Sequence, residues 1–146
     1  MQAFEKTGFI IEKETVCSIL DIVDDYPYNA QYLCHKLWDD FSETKQITKE
    51  DVEPTLERLL SENTPIYISI WDGLSLHQRR LLYAIASSGG NYIFSQDFIR
   101  DYNLGNPSSV QTSVRLLMKR QIIDKDKNTY FITDIFFKEW ILRKLA

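Results

Sequence analysis

Asn106-Pro-Ser-Ser-Val-Gln-Thr-Ser-Val-Arg-Leu-Leu-Met-Lys-Arg-Gln-Ile-Ile-Asp-Lys-Asp-Lys-Asn-Thr-Tyr-Phe-Ile132 reads as a helix followed by a hairpin. Asn106 suits an N-cap, because its side-chain oxygen can accept from an otherwise unpaired N–H of the first turn. Pro107 suits the first helical position, where its missing N–H would have had no partner. Val110, Val114 and Leu117 recur at i, i+4, i+7 and make one apolar stripe. The opposite face carries Ser108, Thr112, Arg115 and Lys119, which supply hydrogen-bonding groups and positive charge without a carboxylate. After this helix, predicted over 107–121, Ile122-Ile123 and Tyr130-Phe131-Ile132 read as two short strands. The turn-prone segment Asp124 to Asn128 lies between them.

The residues upstream complete a pattern. Ser75 to Ala86 has an inward stripe of Leu81, Leu82 and Ile85, and Ser75 with Gln78 fits the capping box, in which each residue satisfies the other's backbone N–H. Ser95 to Asn103 has Ser95 as a cap and Phe98, Ile99 and Tyr102 pointing inward. Between these helices the chain breaks at Ser88 to Asn91, and Tyr92-Ile93-Phe94, β-branched and aromatic, is expected to pair with the hairpin. Three short helices and a hairpin make a winged helix-turn-helix domain with a small β-hairpin wing. The helix from Pro107 turns its polar, basic face outward.

Composition and charge bound the rest. The 146 residues are 44% hydrophobic and 26% charged, which allows one domain or two small ones. No run approaches the roughly eighteen apolar residues of a membrane span, and no signal segment opens the chain, so a soluble, cytoplasmic protein with no membrane partner is expected. Cys17 and Cys34 are expected as buried, reduced thiols, and with only His35 and His77 besides, no spacing suggests a metal. Charge is split along the chain. Residues 1–66 hold six basic and fourteen acidic residues, a net of −8; residues 67–146 hold eleven and seven, a net of +4. The second part could approach an anion and the first would resist one.

The first half reads as a helical bundle. Val16, Ile19, Leu20 and Val23 place a helix over 12–24, which Tyr26-Pro27-Tyr28 ends, since a residue before proline is pushed out of the α region. Ala30, Leu33, Cys34, Leu37, Trp38 and Phe41 keep to one face of a helix over 29–41, with Asp39-Asp40 as its solvated end. A third helix, 48–60, opens on Thr48 and Asp51 and turns Val52, Leu56, Leu59 and Leu60 inward. Residues 63–73 alternate at Ile66, Ile68 and Ile70 as a strand would, yet Pro65, Tyr67, Ile70 and Trp71 fit a short connecting helix better. A final helix, 134–144, brings Ile135, Phe136, Trp140, Ile141 and Leu145 back onto the core. The fold class is therefore mainly α, with a helical domain over 1–64 and the winged-helix domain over 65–146.

Catalytic signatures are missing from the sequence. Neither the phosphate-cradling Gly-x-x-x-x-Gly-Lys loop nor the Gly-x-Ser-x-Gly elbow occurs, and neither histidine has a nucleophile beside it. This chain is predicted to catalyse nothing and to hold no cofactor of its own. One family resemblance adds to this. Tyr26-Pro27-Tyr28 with Gln31 and Trp38, Ile47-Thr48, Leu74-Ser75 with Gln78-Arg79, Ile122-Ile123, and Tyr130 with Asp134, Phe137 and Trp140 stand in an order that resembles the C-terminal part of an archaeal and bacterial family of AAA-type or STAND-type ATPases. The resemblance implies a helical lid over 1–64, with Tyr26, Pro27, Tyr28 and Gln31 facing an upstream nucleotide-binding core. It also implies that ATP and Mg belong to a longer parent protein, of which this chain is a piece.

Two readings of the winged helix follow. In the first it binds double-stranded DNA: Ser108, Gln111 and Thr112 reach base edges or phosphates, Arg115, Lys119 and Arg120 contact phosphates, and Lys125 and Lys127 touch the flanking backbone from the wing. In the second it is a protein-interaction or regulatory module that docks on the ATPase core or another partner. The overall pI near 5.2 and the acidic first half favour the second, while Asp124 and Asp126 cancel the wing's charge and weaken it as a sign of the first. The sequence leaves the oligomeric state open.

Overall fold

A computed structural model describes residues 10–11, 13–22, 27–40 and 46–145. The chain divides into two compact units between Asn63 and Thr64.

The first unit contains β1 (Ile10–Ile11), α1 (Lys13–Ile22), α2 (Pro27–Asp40), β2 (Gln46–Ile47) and the first part of α3 (Lys49–Asp72). β1 pairs parallel with β2, Ile10 opposite Gln46 and Ile11 opposite Ile47. The predicted stripes supply the core: Ile19, Leu33, Leu37, Val52, Leu56, Leu59 and Leu60 are buried. The expectations for Val23, Tyr26 and Phe41 fall outside the described residues. Proline acts differently from the sequence reading, because Pro27 starts α2, where its fixed φ fits the first turn.

Two expectations about polar side chains are corrected. Asp40 is not a solvated helix end: it accepts a 2.9 Å hydrogen bond from the Thr55 hydroxyl and pairs with Arg58. Of the two thiols only Cys34 is buried, and desolvation pushes it up to about 11; Cys17 is exposed. On the surface Lys36 donates to Glu62 at 3.0 Å, and this bond raises the Lys36 ammonium above its ordinary range and lowers the Glu62 carboxyl.

α3 is the largest departure from expectation. In place of two helices with a break between them, one helix of 24 residues runs through Pro54 and Pro65. Each proline removes one ladder hydrogen bond, but both are exposed, as are Glu50 and Ser61 four residues earlier, so water can satisfy the carbonyls left over. At its start the Thr48 N–H donates to Asp51 Oδ2 at 2.7 Å. Residues 63–72 are helical, as Pro65, Tyr67, Ile70 and Trp71 predict, and the alternating isoleucines do not make a strand.

The second unit continues from Thr64 along α3 into α4 (Leu76–Ser88), α5 (Gln96–Asp101), α6 (Pro107–Lys119), β3 (Ile123–Asp126), β4 (Thr129–Ile132) and α7 (Ile135–Lys144). Its three short helices and antiparallel hairpin are the winged helix expected from the sequence. The wing is tighter than expected: Asp126 pairs with Thr129, so the strand absorbs Asp124 to Asp126 and the turn is Lys127-Asn128 alone, with Lys127 at φ +57°. The end of α3 packs on α7 through Tyr67, Phe137 and Trp140. Tyr67 stacks on Phe137 at 5.4 Å, and the Trp140 indole donates to Thr64 Oγ1 at 3.2 Å. Phe137, which the sequence stripe leaves out, is buried, and Leu145, which it includes, is 41% exposed past the last turn.

Tyr92-Ile93-Phe94 does not join the sheet. It forms a turn, the sheet has two strands, and the backbone bond to β4 comes from Gly90 instead: Tyr130 N–H donates to the Gly90 carbonyl at 2.9 Å. Ile93 is buried and Phe94 meets Tyr130 edge-on at 6.0 Å, so the apolar residues serve packing rather than pairing. Gly90, at φ +78°, lies so close to β4 that a Cβ would fall 1.7 Å from the Tyr130 carbonyl oxygen; Gly89, at φ +88°, has open space around it. Gly89→Ala is expected to cost about 1 kcal/mol, from the left-handed backbone alone. Gly90→Ala adds a backbone overlap and is expected to lower the melting temperature by roughly 10 °C or more. Equal melting temperatures for the two variants would contradict this close approach.

Candidate nucleic-acid interface

α6 is set in place from both ends. Asn106 Oδ1 accepts from the Ser109 N–H at 2.9 Å, so the cap and the proline behind it act as the sequence predicts. At the other end Gln121 N–H donates to Met118 O and Ile122 N–H to Leu117 O, the paired bonds of a Schellman motif. Gln121, at φ +60°, takes the left-handed position usually held by glycine. Thr133 then ties this corner to the wing, its hydroxyl donating to the Gln121 carbonyl at 2.7 Å.

Val110, Ser113, Val114 and Leu117 are buried, while Ser108, Gln111, Thr112, Arg115, Leu116 and Lys119 are exposed at i, i+3, i+4, i+7, i+8 and i+11. This outward face carries no acid. Among the described residues neither Arg115 nor Lys119 has an ion pair, in contrast to Arg100 of α5, which bonds Asp97 and Asp101. The Thr112 hydroxyl donates to the Ser108 carbonyl at 3.1 Å, within its own helix.

Ser113 lies on the inner side because His77 meets it there. The His77 Nε2 lies 2.7 Å from the Leu104 carbonyl, which can only accept, so this nitrogen carries the proton. In the neutral ring Nδ1 then accepts from the Ser113 hydroxyl at 2.6 Å. One side chain of α4 thereby holds both the turn before α6 and the middle of α6. The pair resembles a base and a nucleophile, but Ser113 is 5% exposed, and the bond is a tether. Beside it opens a depression of about 400 Å³ lined by His77, Ser108, Ser109, Thr112 and Ser113. No neighbour in sequence signals this arrangement, since His77 and Ser113 are 36 positions apart.

Other candidate residues are placed differently. The Arg120 guanidinium donates to the Gly73 carbonyl at 3.3 Å, and Arg79 donates to the Trp71 carbonyl at 3.0 Å while lying over the Trp71 ring. Two arginines thus hold the carboxyl end of α3, where unpaired carbonyls gather. Lys125 lies over the Tyr130 ring at 5.8 Å, and its exposed neighbours Asp124 and Asp126 balance it and Lys127. In the first unit Gln31 is exposed on α2, Pro27 and Tyr28 lie in the first turn of α2, and Tyr26 falls outside the described residues. Among the described residues no group of three His, Cys, Asp or Glu side chains is placed to hold a metal, and no helix is long and apolar enough to cross a membrane.

Helix, tight turn, outward-facing helix and hairpin define the second unit as a winged helix-turn-helix domain. A family model described as a probable winged helix domain matches residues 65–143, more than half of the chain, and the protein belongs to that family. No curated protein and no solved structure matches the chain.

If the His77–Ser113 bond holds α6 in place, removing either partner leaves the other's buried polar atom without its bond. Ser113→Ala is expected to cost about 1–2 kcal/mol in chemical denaturation. The double variant with His77→Ala should cost less than the sum of the singles, by about 1 kcal/mol. Strictly additive costs would show that the bond contributes nothing.

Proposed function

We propose that the winged helix binds double-stranded DNA, with α6 in the major groove. The observation that carries this reading is the outward face of α6: six exposed side chains in helical register, two of them cations without an ion pair among the described residues, and no acid. Arg115 and Lys119 supply phosphate contacts, and Ser108, Gln111 and Thr112 stand nearer the cap, where a reader helix meets base edges. Lys125 and Lys127 flank this face from the wing and add little net charge. Arg120 acts chiefly on the Gly73 carbonyl.

A second reading has support of its own. The wing's balanced charge and the acidic first half suit a winged helix that docks on protein, as a regulatory module. Under either reading we place the chain, on its resemblance, as the C-terminal portion of an AAA-type or STAND-type ATPase that binds ATP and Mg in an upstream core. Translation shown to start at Met1, with no Walker loop encoded before it, would sink that placement.

Fluorescence anisotropy on random duplex DNA at two salt concentrations tests the DNA reading. Each phosphate contact contributes about 0.9 to the slope of log affinity against log salt, so Arg115→Ala with Lys119→Ala should flatten it by about 1.8. An unchanged slope would remove these residues from the interface, and absence of binding at low salt would leave the docking reading.

A further inference from the structure

The outward face of α6 has an apolar margin. Leu116 is 40% exposed, between cations at Arg115 and Lys119 and one turn after Thr112. An exposed leucine there is not required by the core, which Val110, Val114 and Leu117 fill from the other side. Thr112 adds to the patch, since its hydroxyl proton is committed to the Ser108 carbonyl at 3.1 Å, which leaves it an acceptor oxygen and a methyl group to offer but no donor. Gln111 stands beside Thr112 with an amide that can donate and accept at once.

In the major groove a base pair presents one apolar group, the C5-methyl of thymine, and the base that glutamine bonds in two-point fashion is adenine. We infer that α6 reads adenine–thymine pairs, with Leu116 and the Thr112 methyl packed on a thymine methyl and Gln111 on an adjacent adenine edge. This rests on the DNA-binding reading above and adds the base chemistry that the bound site must offer. Arg115 and Lys119 set the helix on the phosphates without distinguishing bases. Selectivity then comes from the uncharged side chains Gln111, Thr112 and Leu116.

Deoxyuridine lacks the thymine methyl and keeps every hydrogen-bonding group, so it isolates the methyl group's share of binding. The test is anisotropy of the full chain on a short alternating adenine–thymine duplex and on the same duplex with deoxyuridine in place of thymidine, at one salt concentration. The wild-type chain is expected to bind the deoxyuridine duplex roughly fourfold more weakly for each methyl group that α6 packs against. Leu116→Ala, at an exposed position that leaves the core untouched, should narrow that difference while keeping the wild-type salt slope. Equal binding of the two duplexes by wild type would overturn the inference, and so would a penalty that persists undiminished in Leu116→Ala, which would belong to DNA shape. In both cases the DNA-binding reading stands. Absence of binding to either duplex at low salt would overturn both.

Discussion

The hydrogen bonds of His77 are the constraint on which the winged helix depends. An imidazole has two ring nitrogens, and here each is committed to a different segment: one to the Leu104 carbonyl in the turn, the other to Ser113 in the middle of α6. A turn of five residues between short helices has little apolar area of its own, so its angle must come from elsewhere. Leu104 supplies the packing, fully buried under the turn, and His77 supplies direction, because hydrogen bonds fix orientation where apolar contacts do not.

What faces outward on α6 follows from what is held inward. Once Val110, Ser113, Val114 and Leu117 are committed to the core, a period of 3.6 leaves Ser108, Gln111, Thr112, Arg115, Leu116 and Lys119 together on the opposite side. The acids of the second unit lie elsewhere: on α5, where Arg100 balances two of them, on the wing, and at Asp72, Asp134 and Glu139. The +4 of residues 67–146 is therefore less telling than its distribution, because part of it is used internally. Arg79 and Arg120 serve the end of α3, and Arg143 bonds Glu139.

Much of this was legible in the sequence, for identifiable reasons. Caps and stripes act within four residues, and the caps read at Ser75, Ser95 and Asn106 have their side chains bonded to first-turn N–H groups. Interactions between distant residues were not legible. Nothing near His77 points to Ser113, and Arg120 reads as one more cation on a basic helix until Gly73 is seen beside it. Pro65 misled in α3, reading as the start of a separate helix, because proline's usual effect on helices depends on whether water can reach the freed carbonyl, which only burial reveals. Tyr92-Ile93-Phe94 has strand composition, but the close approach that Gly90 permits takes its place at β4.

On the proposed reading, the acid-free face of α6 is the surface this domain presents to DNA. Backbone amide NMR of the chain titrated with a short duplex tests it most directly, since each amide reports its own surroundings. The largest shifts are expected on Ser108 to Lys119, with smaller ones at the wing from Lys125 to Asn128. Shifts confined to the exposed side of α4 at Leu76, Arg80 and Tyr83, or to the first unit, would contradict it.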